Sequence, residues 1–213
     1  MRIGVLGTGN MADALGTQWA RAGHEVFVGG RDPGRAAGLA ARIGAAGHGS
    51  LRDAAEFGDG AVLFALPYGA GEDVLPWLAD AVRGRVLVDC CNPVGEGFAL
   101  LTERGPAAAE RLAAAAPGAR VVKAFNLCHE SVWRMTPPVF DGQRLAVPVC
   151  GDDTEALDVV RQLVRDLGCE PYDAGGLGRA GLVEATAALL IGLWVGRGVD
   201  ARAIVPPLAH AGG

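Results

Sequence analysis

Short apolar runs separated by stretches of helical spacing recur along the chain: Ile3 to Leu6, Glu25 to Gly29, Ala61 to Leu66, Arg85 to Cys90, Arg120 to Phe125, Leu145 to Cys150 and a shorter Cys169 to Asp173. Continuous apolar runs of this length suit strands buried on both faces, as in a parallel sheet covered by helices. Between them, Met11 to Arg21 places Ala14, Leu15, Trp19 and Ala22 at helical spacing. Ala107 to Ala116 stops at Pro117-Gly118, and Thr154 to Leu167 follows Gly151-Asp152-Asp153. Asp32 reads as a helix N-cap with Pro33 in the first turn, and Ser50 with Asp53 as a capping box. The alternation predicts an α/β fold: a Rossmann-type, doubly wound, mostly parallel sheet with a small C-terminal α/β addition. The boundary is expected at Gly151, giving residues 1–151 as the main domain and 152–213 as a smaller substrate or dimerisation region, with Pro206 to Gly213 fraying.

The first strand stops at Gly7-Thr8-Gly9-Asn10-Met11-Ala12, a G-x-G-x-x-A sequence between a strand and a helix. In that context Gly7 permits the tight turn, Gly9 admits the backbone to a pyrophosphate, and Ala12 keeps the helix close to the sheet. The helix N-terminus adds N–H donors and partial positive charge. Sites for NAD carry Asp or Glu at the end of the second strand, about 20 residues on, to accept the ribose 2′-hydroxyl. Here that position is Gly29-Gly30-Arg31, with Arg35 a helical turn further. Paired guanidinium groups suit a 2′-phosphate, so the dinucleotide expected is NADP(H).

Composition narrows the partner. The 213 residues carry a net charge of −5, from 19 basic and 24 acidic side chains, without a basic run. Nucleic acid and anionic membrane surfaces are therefore not expected partners, and a small molecule is. The five cysteines, Cys90, Cys91, Cys128, Cys150 and Cys169, form no C-x-x-C pair, and no metal site is expected. The first strand begins at Ile3, leaving no signal peptide, and the expected location is the cytoplasm. The most apolar stretch, Ala185 to Gly196, has 12 residues with Glu184 at its edge, too short to cross a bilayer. Its surroundings, Leu182 to Val195, bear Leu189, Leu190, Leu193 and Trp194, which predicts a helix pairing two subunits into a homodimer, or else covering its own sheet.

Ligands of open α/β sheets bind beyond the carboxyl ends of the strands. Three further segments fall there: Leu66-Pro67-Tyr68, Asn92-Pro93-Val94-Gly95-Glu96-Gly97 and Asn126-Leu127-Cys128-His129-Glu130. Pro67 and Pro93 can offer flat apolar surface to a nicotinamide ring, and Asn126 both a donor and an acceptor to its carboxamide. Lys123, the sole lysine, lies inside an apolar run; its head is expected to reach a carboxylate or water, the alternative being a neutral active-site amine.

The segments GVLGTGNMADALG, GGRDPGRA, LPYGAG, DCCNPVGEG, GARVVKAFN, PVCGDD and DAGGLGRAGLVE, in that order to about Val195, resemble the family of F420-dependent NADP oxidoreductases. The first two would fit many NADP enzymes; the last two are more specific. The resemblance implies hydride exchange between NADP(H) and the deazaflavin coenzyme F420. By it, Thr8 to Met11 bind the diphosphate, Arg31 and Arg35 the 2′-phosphate, and Leu66 to Tyr68 with Asn126 border the nicotinamide. The deazaflavin would lie over Pro93-Val94 and the segment Leu177 to Leu182. The chain departs from the archaeal pattern in having Asn126 in place of a histidine and no serines around Gly178 and Ala180.

Hydride transfer to a deazaflavin needs stacking at close approach, and positioning supplies most of the catalysis. Reduction of an imine or enone requires a proton or a stabilised charge, for which Tyr68, Asn126, His129 and Glu130 are the candidates. Such a metabolite reductase, and a redox sensor that binds NADP(H) without turnover, are the alternative readings.

Overall fold

The computed structural model describes residues 1–200, so the expectation for Pro206 to Gly213 lies outside the described residues. In chain order the elements are β1 (Arg2–Leu6), α1 (Asn10–Arg21), β2 (Glu25–Gly29), α2 (Pro33–Ile43), β3 (Gly47–Gly49), α3 (Leu51–Phe57), β4 (Ala61–Phe64), α4 (Ala70–Val82) and β5 (Val86–Asp89). There follow α5 (Ala108–Ala115), β6 (Arg120–Lys123), α6 (Glu130–Trp133), a small hairpin of β7 (Val139–Phe140) and β8 (Gln143–Arg144), β9 (Ala146–Gly151), α7 (Thr154–Asp166), β10 (Glu170–Gly175) and α8 (Ala180–Ile191).

One eight-stranded sheet runs in the order β10-β9-β6-β5-β4-β1-β2-β3. Its neighbours are parallel throughout, except that β9 meets β6 antiparallel and so reverses the last pair. This is the expected doubly wound α/β architecture. Strand residues alternate between two cores. Ile3, Val5, Leu63, Val88 and Val122 face a layer containing Leu15, Trp19, Leu39, Val160 and Leu163 of α1, α2 and α7. Leu6, Val62, Phe64, Leu87 and Val121 face Ala54, Leu75, Leu78, Val82 and Leu112 of α3, α4 and α5.

The sheet continues through the expected boundary at Gly151 into β10. Two side-chain contacts tie α7 back to the first βαβ unit: Trp19 Nε1 donates to the Leu163 carbonyl at 3.2 Å, and His24 Nε2 lies 2.8 Å from Asp166 Oδ2. β3, a Gly-His-Gly edge strand, has no apolar signature; it pairs with β2 through backbone alone, which is why hydrophobic patterning does not mark it.

The C-terminal helix is longer than the 12 apolar residues suggest. A turn at Leu177–Arg179 and a wider turn at Gly192–Gly196 extend α8 into a 20-residue helical run, long and apolar enough by length and composition to cross a membrane. Its first half is docked, with Ala180, Val183, Glu184, Ala187 and Ala188 buried, whereas Leu182, Leu189, Trp194 and Val195 are exposed.

Candidate active site

A cleft of about 760 Å³ opens where β1, β2, β4, β5 and β6 end. Its floor is the turn from β1 to α1. Gly7 sits at φ +125°, and a Cβ there would stand 2.4 Å from the Ala65 carbonyl oxygen, so only glycine allows this turn against β4. No side chain caps α1 at Gly9, and the space a Cβ of Gly9 would enter is open. The result is a helix N-terminus facing an open cradle, which fits the diphosphate of a dinucleotide.

At the end of β2, Gly30, Arg31 and Arg35 line the same cleft. Asp32 also borders it, but its Oδ1 accepts from the N–H groups of Gly34 and Arg35 at 2.9 and 3.1 Å. That cap, expected from Asp32-Pro33, ties the carboxylate to the start of α2 and leaves Arg31 and Arg35 as the basic residues at the β2 end of the cleft.

The opposite end is formed by Leu66, Pro67 and half-buried Tyr68 after β4, Cys90 to Asn92 after β5, and Phe125, Asn126 and Cys128 after β6. Phe125 turns the chain at φ +61°, a conformation that costs a non-glycine residue on the order of 1 kcal/mol. Edge contacts with Trp19 and Trp133, at centroid distances of 5.7 and 5.6 Å, hold it there. The next residue is thereby delivered into the cleft wall. Asn126 Nδ2 donates to Asn92 Oδ1 at 3.0 Å and to the Val183 carbonyl at 3.3 Å, while Asn92 Nδ2 donates to the Asn126 carbonyl at 2.7 Å. Both amide hydrogens of Asn126 are thus engaged. Of the donor and acceptor the sequence offers at this position, the fold leaves the acceptor, Oδ1.

Of the residues the sequence singled out, Gly7 to Met11, Gly30, Arg31, Arg35, Leu66, Pro67, Tyr68, Asn92 and Asn126 come together in this one cleft. Pro93 is buried and outside the lining. His129 also stands outside it, with its side chain two-thirds exposed. Its Nδ1 faces Ser131 as the N-cap of α6, and its Nε2 lies 2.9 Å from Glu130 Oε2. Glu130 Oε1 in turn accepts from Asn10 Nδ2 at 3.0 Å, linking α6 to the fingerprint turn.

Three cysteines line the cleft: Cys128 lies in the segment already placed beyond β6, whereas the sequence does not single out Cys90 and Cys91, because cysteine in or beside a strand is ordinarily a small buried residue. The position of that pair just past the end of β5 was the available signal. Burial, reinforced by Asp89, pushes the Cys90 thiol up to about 12, and burial alone pushes Cys128 to about 11, so both stay protonated and unreactive at neutral pH. Beneath this wall lies Lys123, whose head the sequence leads one to expect on a carboxylate or water. Lys123 is fully buried, with Nζ 2.8 Å from Asp89 Oδ2 and 3.0 Å from Glu184 Oε1, and it donates to the Cys91 carbonyl. Burial opposes its charge, but the two carboxylates outweigh it and raise the ammonium above its ordinary range. The expected carboxylate partner of Lys123 is therefore present twice.

Fold and cleft together define a Rossmann-type, NAD(P)H-binding oxidoreductase. Residues 2–93 match the family described as NADP oxidoreductase, coenzyme F420-dependent. The F420-dependent NADP reductase of Methanothermobacter marburgensis is 32% identical over 211 residues, spanning 91% of this chain and 92% of that protein. The chain belongs to this family. The metalloreductase STEAP3 of Rattus norvegicus is 34% identical over 193 residues, but the chain spans only 38% of its length. Among solved structures, a protein of Arthrobacter sp. FB24 with the provisional name F420-dependent NADP reductase superposes with a TM-score of 0.80 at 27% identity, covering 93% of this chain and 96% of that one.

Proposed function

We propose that the protein binds NADP(H) and exchanges hydride between the nicotinamide and a flat deazaflavin, coenzyme F420, stacked against it. The observation that carries this reading is a single cleft with two guanidinium groups at one end and a wall of uncharged groups, Tyr68, Asn92, Asn126 and protonated thiols, at the other. When bound, the dinucleotide supplies the hydride. The open start of α1 holds its diphosphate, and Arg31 with Arg35 holds the 2′-phosphate. Asn126 Oδ1 accepts from the carboxamide and so sets which face of the ring looks outward. A site poor in acids and bases suits a deazaflavin, whose ring system accommodates the charge left by hydride transfer.

The test is to mix protein, NADPH and F420 and follow the deazaflavin absorbance, which should fall as the coenzyme is reduced. Bound NADPH with no transfer to F420, FMN or FAD would reject the proposal. A second reading, reduction of an imine or enone, draws on Tyr68, a half-buried residue of the cleft lining whose side chain has no hydrogen-bond partner among the described residues. It predicts that Tyr68→Phe abolishes turnover of such a substrate, whereas F420 reduction should tolerate the change. The exposed apolar face of α8 supports pairing with a second copy; sedimentation at micromolar concentration should then show a dimer.

A further inference from the structure

The buried charges beneath the cleft take no part in that reading, although they sit directly behind its wall. Asp89 ends β5, Lys123 ends β6 and Glu184 lies in α8, and all three side chains are fully buried. Apart from Lys123, Asp89 accepts from the Cys91 N–H at 2.8 Å. Glu184 accepts from the N–H groups of Ala108 and Ala109 at 3.0 and 3.3 Å and from Thr102 Oγ1 at 3.4 Å. The ammonium and the backbone N–H groups can only donate, so the cluster is built for two carboxylate anions. With one ammonium between them it carries a net charge of −1.

Its position matters as much as its sign. Cys91 and Asn92, following Asp89, line the cleft, as do Phe125 and Asn126, following Lys123. Asn126 also donates to the carbonyl of Val183, the neighbour of Glu184. A buried negative charge therefore stands one layer of chain behind the wall that would face the nicotinamide, and because all three side chains are fully buried, bulk solvent screens it weakly.

We infer that this buried net charge makes the site prefer the oxidised, cationic nicotinamide over the reduced, neutral one, and so favours release of hydride from NADPH. The inference rests on the NADP(H) reading above. As the C4–H bond breaks, the hydrogen leaves with its electron pair to form a C–H bond on the acceptor, which is reduced. The ring left behind is a pyridinium of charge +1, and the cluster stabilises that charge through space.

The test is binding of NADP+ and of NADPH to wild-type protein and to Glu184→Gln, Asp89→Asn and Thr102→Val. Each carboxylate replacement removes one negative charge with little change of shape. Each should raise the Kd of NADP+ relative to that of NADPH on the order of tenfold. Thr102→Val loosens a contact of Glu184 without altering charge and should leave the ratio within about twofold. An unchanged ratio in the folded charge variants overturns the inference, as does an equal shift in Thr102→Val. In wild-type protein, 2′-phospho-ADP-ribose serves as a ringless reference that needs no variant. The cationic ring should add more affinity over it than the reduced ring, and the reverse order overturns the inference. Failure of both dinucleotides to bind removes the underlying reading too, whereas tight binding with an unchanged ratio removes the inference alone.

Discussion

Replacing Lys123 with methionine keeps the packed stem and deletes the ammonium that two buried carboxylates share. Asp89 then retains the Cys91 N–H, and Glu184 retains two backbone N–H groups and Thr102, but neither has a counter-charge. Breaking one side of a fully buried ion pair costs about 3–5 kcal/mol. For a chain of this size, at about 2–4 °C per kcal/mol, that corresponds to a fall in Tm of roughly 6–20 °C. The pH dependence adds a signature. In the variant one carboxyl is driven to take up a proton, so its pKa in the folded state rises above the unfolded value of about 4. Stability is then present below the unfolded pKa and lost as pH rises through the folded one, so the deficit should shrink between pH 8 and pH 5. Wild-type protein behaves otherwise. Its Lys123 pKa is raised, so that contribution is complete below about 10.5 and disappears only in stronger alkali. Thermal unfolding followed by circular dichroism at pH 5, 6.5 and 8 reads both effects. A Tm within about 2 °C of wild type at pH 8, or a deficit that acidification does not reduce, refutes the account.

Replacing Arg31 and Arg35 together by alanine should weaken NADPH at least tenfold more than NADH, since hydrogen bonds to a charged group contribute about 1.5–3 kcal/mol each; equal losses by titration would mean that the arginines do not read the 2′-phosphate. Gly7→Ala places a methyl against the Ala65 carbonyl at φ +125°, and should lower Tm and abolish dinucleotide binding together. Asn126→Leu leaves Asn92 Oδ1 without its donor and removes the free acceptor; NADPH affinity should fall by on the order of tenfold, measured by fluorescence titration. Burial raises the Asp13 carboxyl, but hydrogen bonds from Arg134 and Arg42 outweigh it and hold its pKa below the ordinary value. Its contribution is therefore present above about pH 4 and lost as pH falls through the folded pKa, and Asp13→Asn should flatten the acid limb of the stability curve while lowering stability at pH 7 by about 1 kcal/mol.

Local physics made much of this protein readable from the chain. Ile3 to Leu6 followed by G-x-G-x-x-A is a strand, a turn only glycine can make, and a helix start, because those constraints act within a few residues. The same holds for the Asp32 cap and for the arginines at the end of β2, whose direction follows from the strand before them. Apolar run after apolar run sufficed for a doubly wound sheet, since a strand buried on both faces needs side chains that avoid water. What escaped depends on partners far along the chain. The Gly-His-Gly edge strand exists because β2 offers its backbone. The length of α8 comes from turns that continue it past each end of its apolar stretch. His129 read as a candidate acid, whereas its ring closes on Ser131 and Glu130 at the start of α6. Asn126 carried both a donor and an acceptor until Asn92 and Val183, from two other elements, took both hydrogens. Lys123, Asp89 and Glu184, each a lone charge in an apolar run, became one anionic cluster only when β5, β6 and α8 converged. The sequence by itself determined the dinucleotide scaffold, whose interactions are short in sequence and backbone in kind; the tertiary structure alone decided the chemistry at the nicotinamide end, because charges and amides there take their meaning from neighbours 34 to 82 residues away.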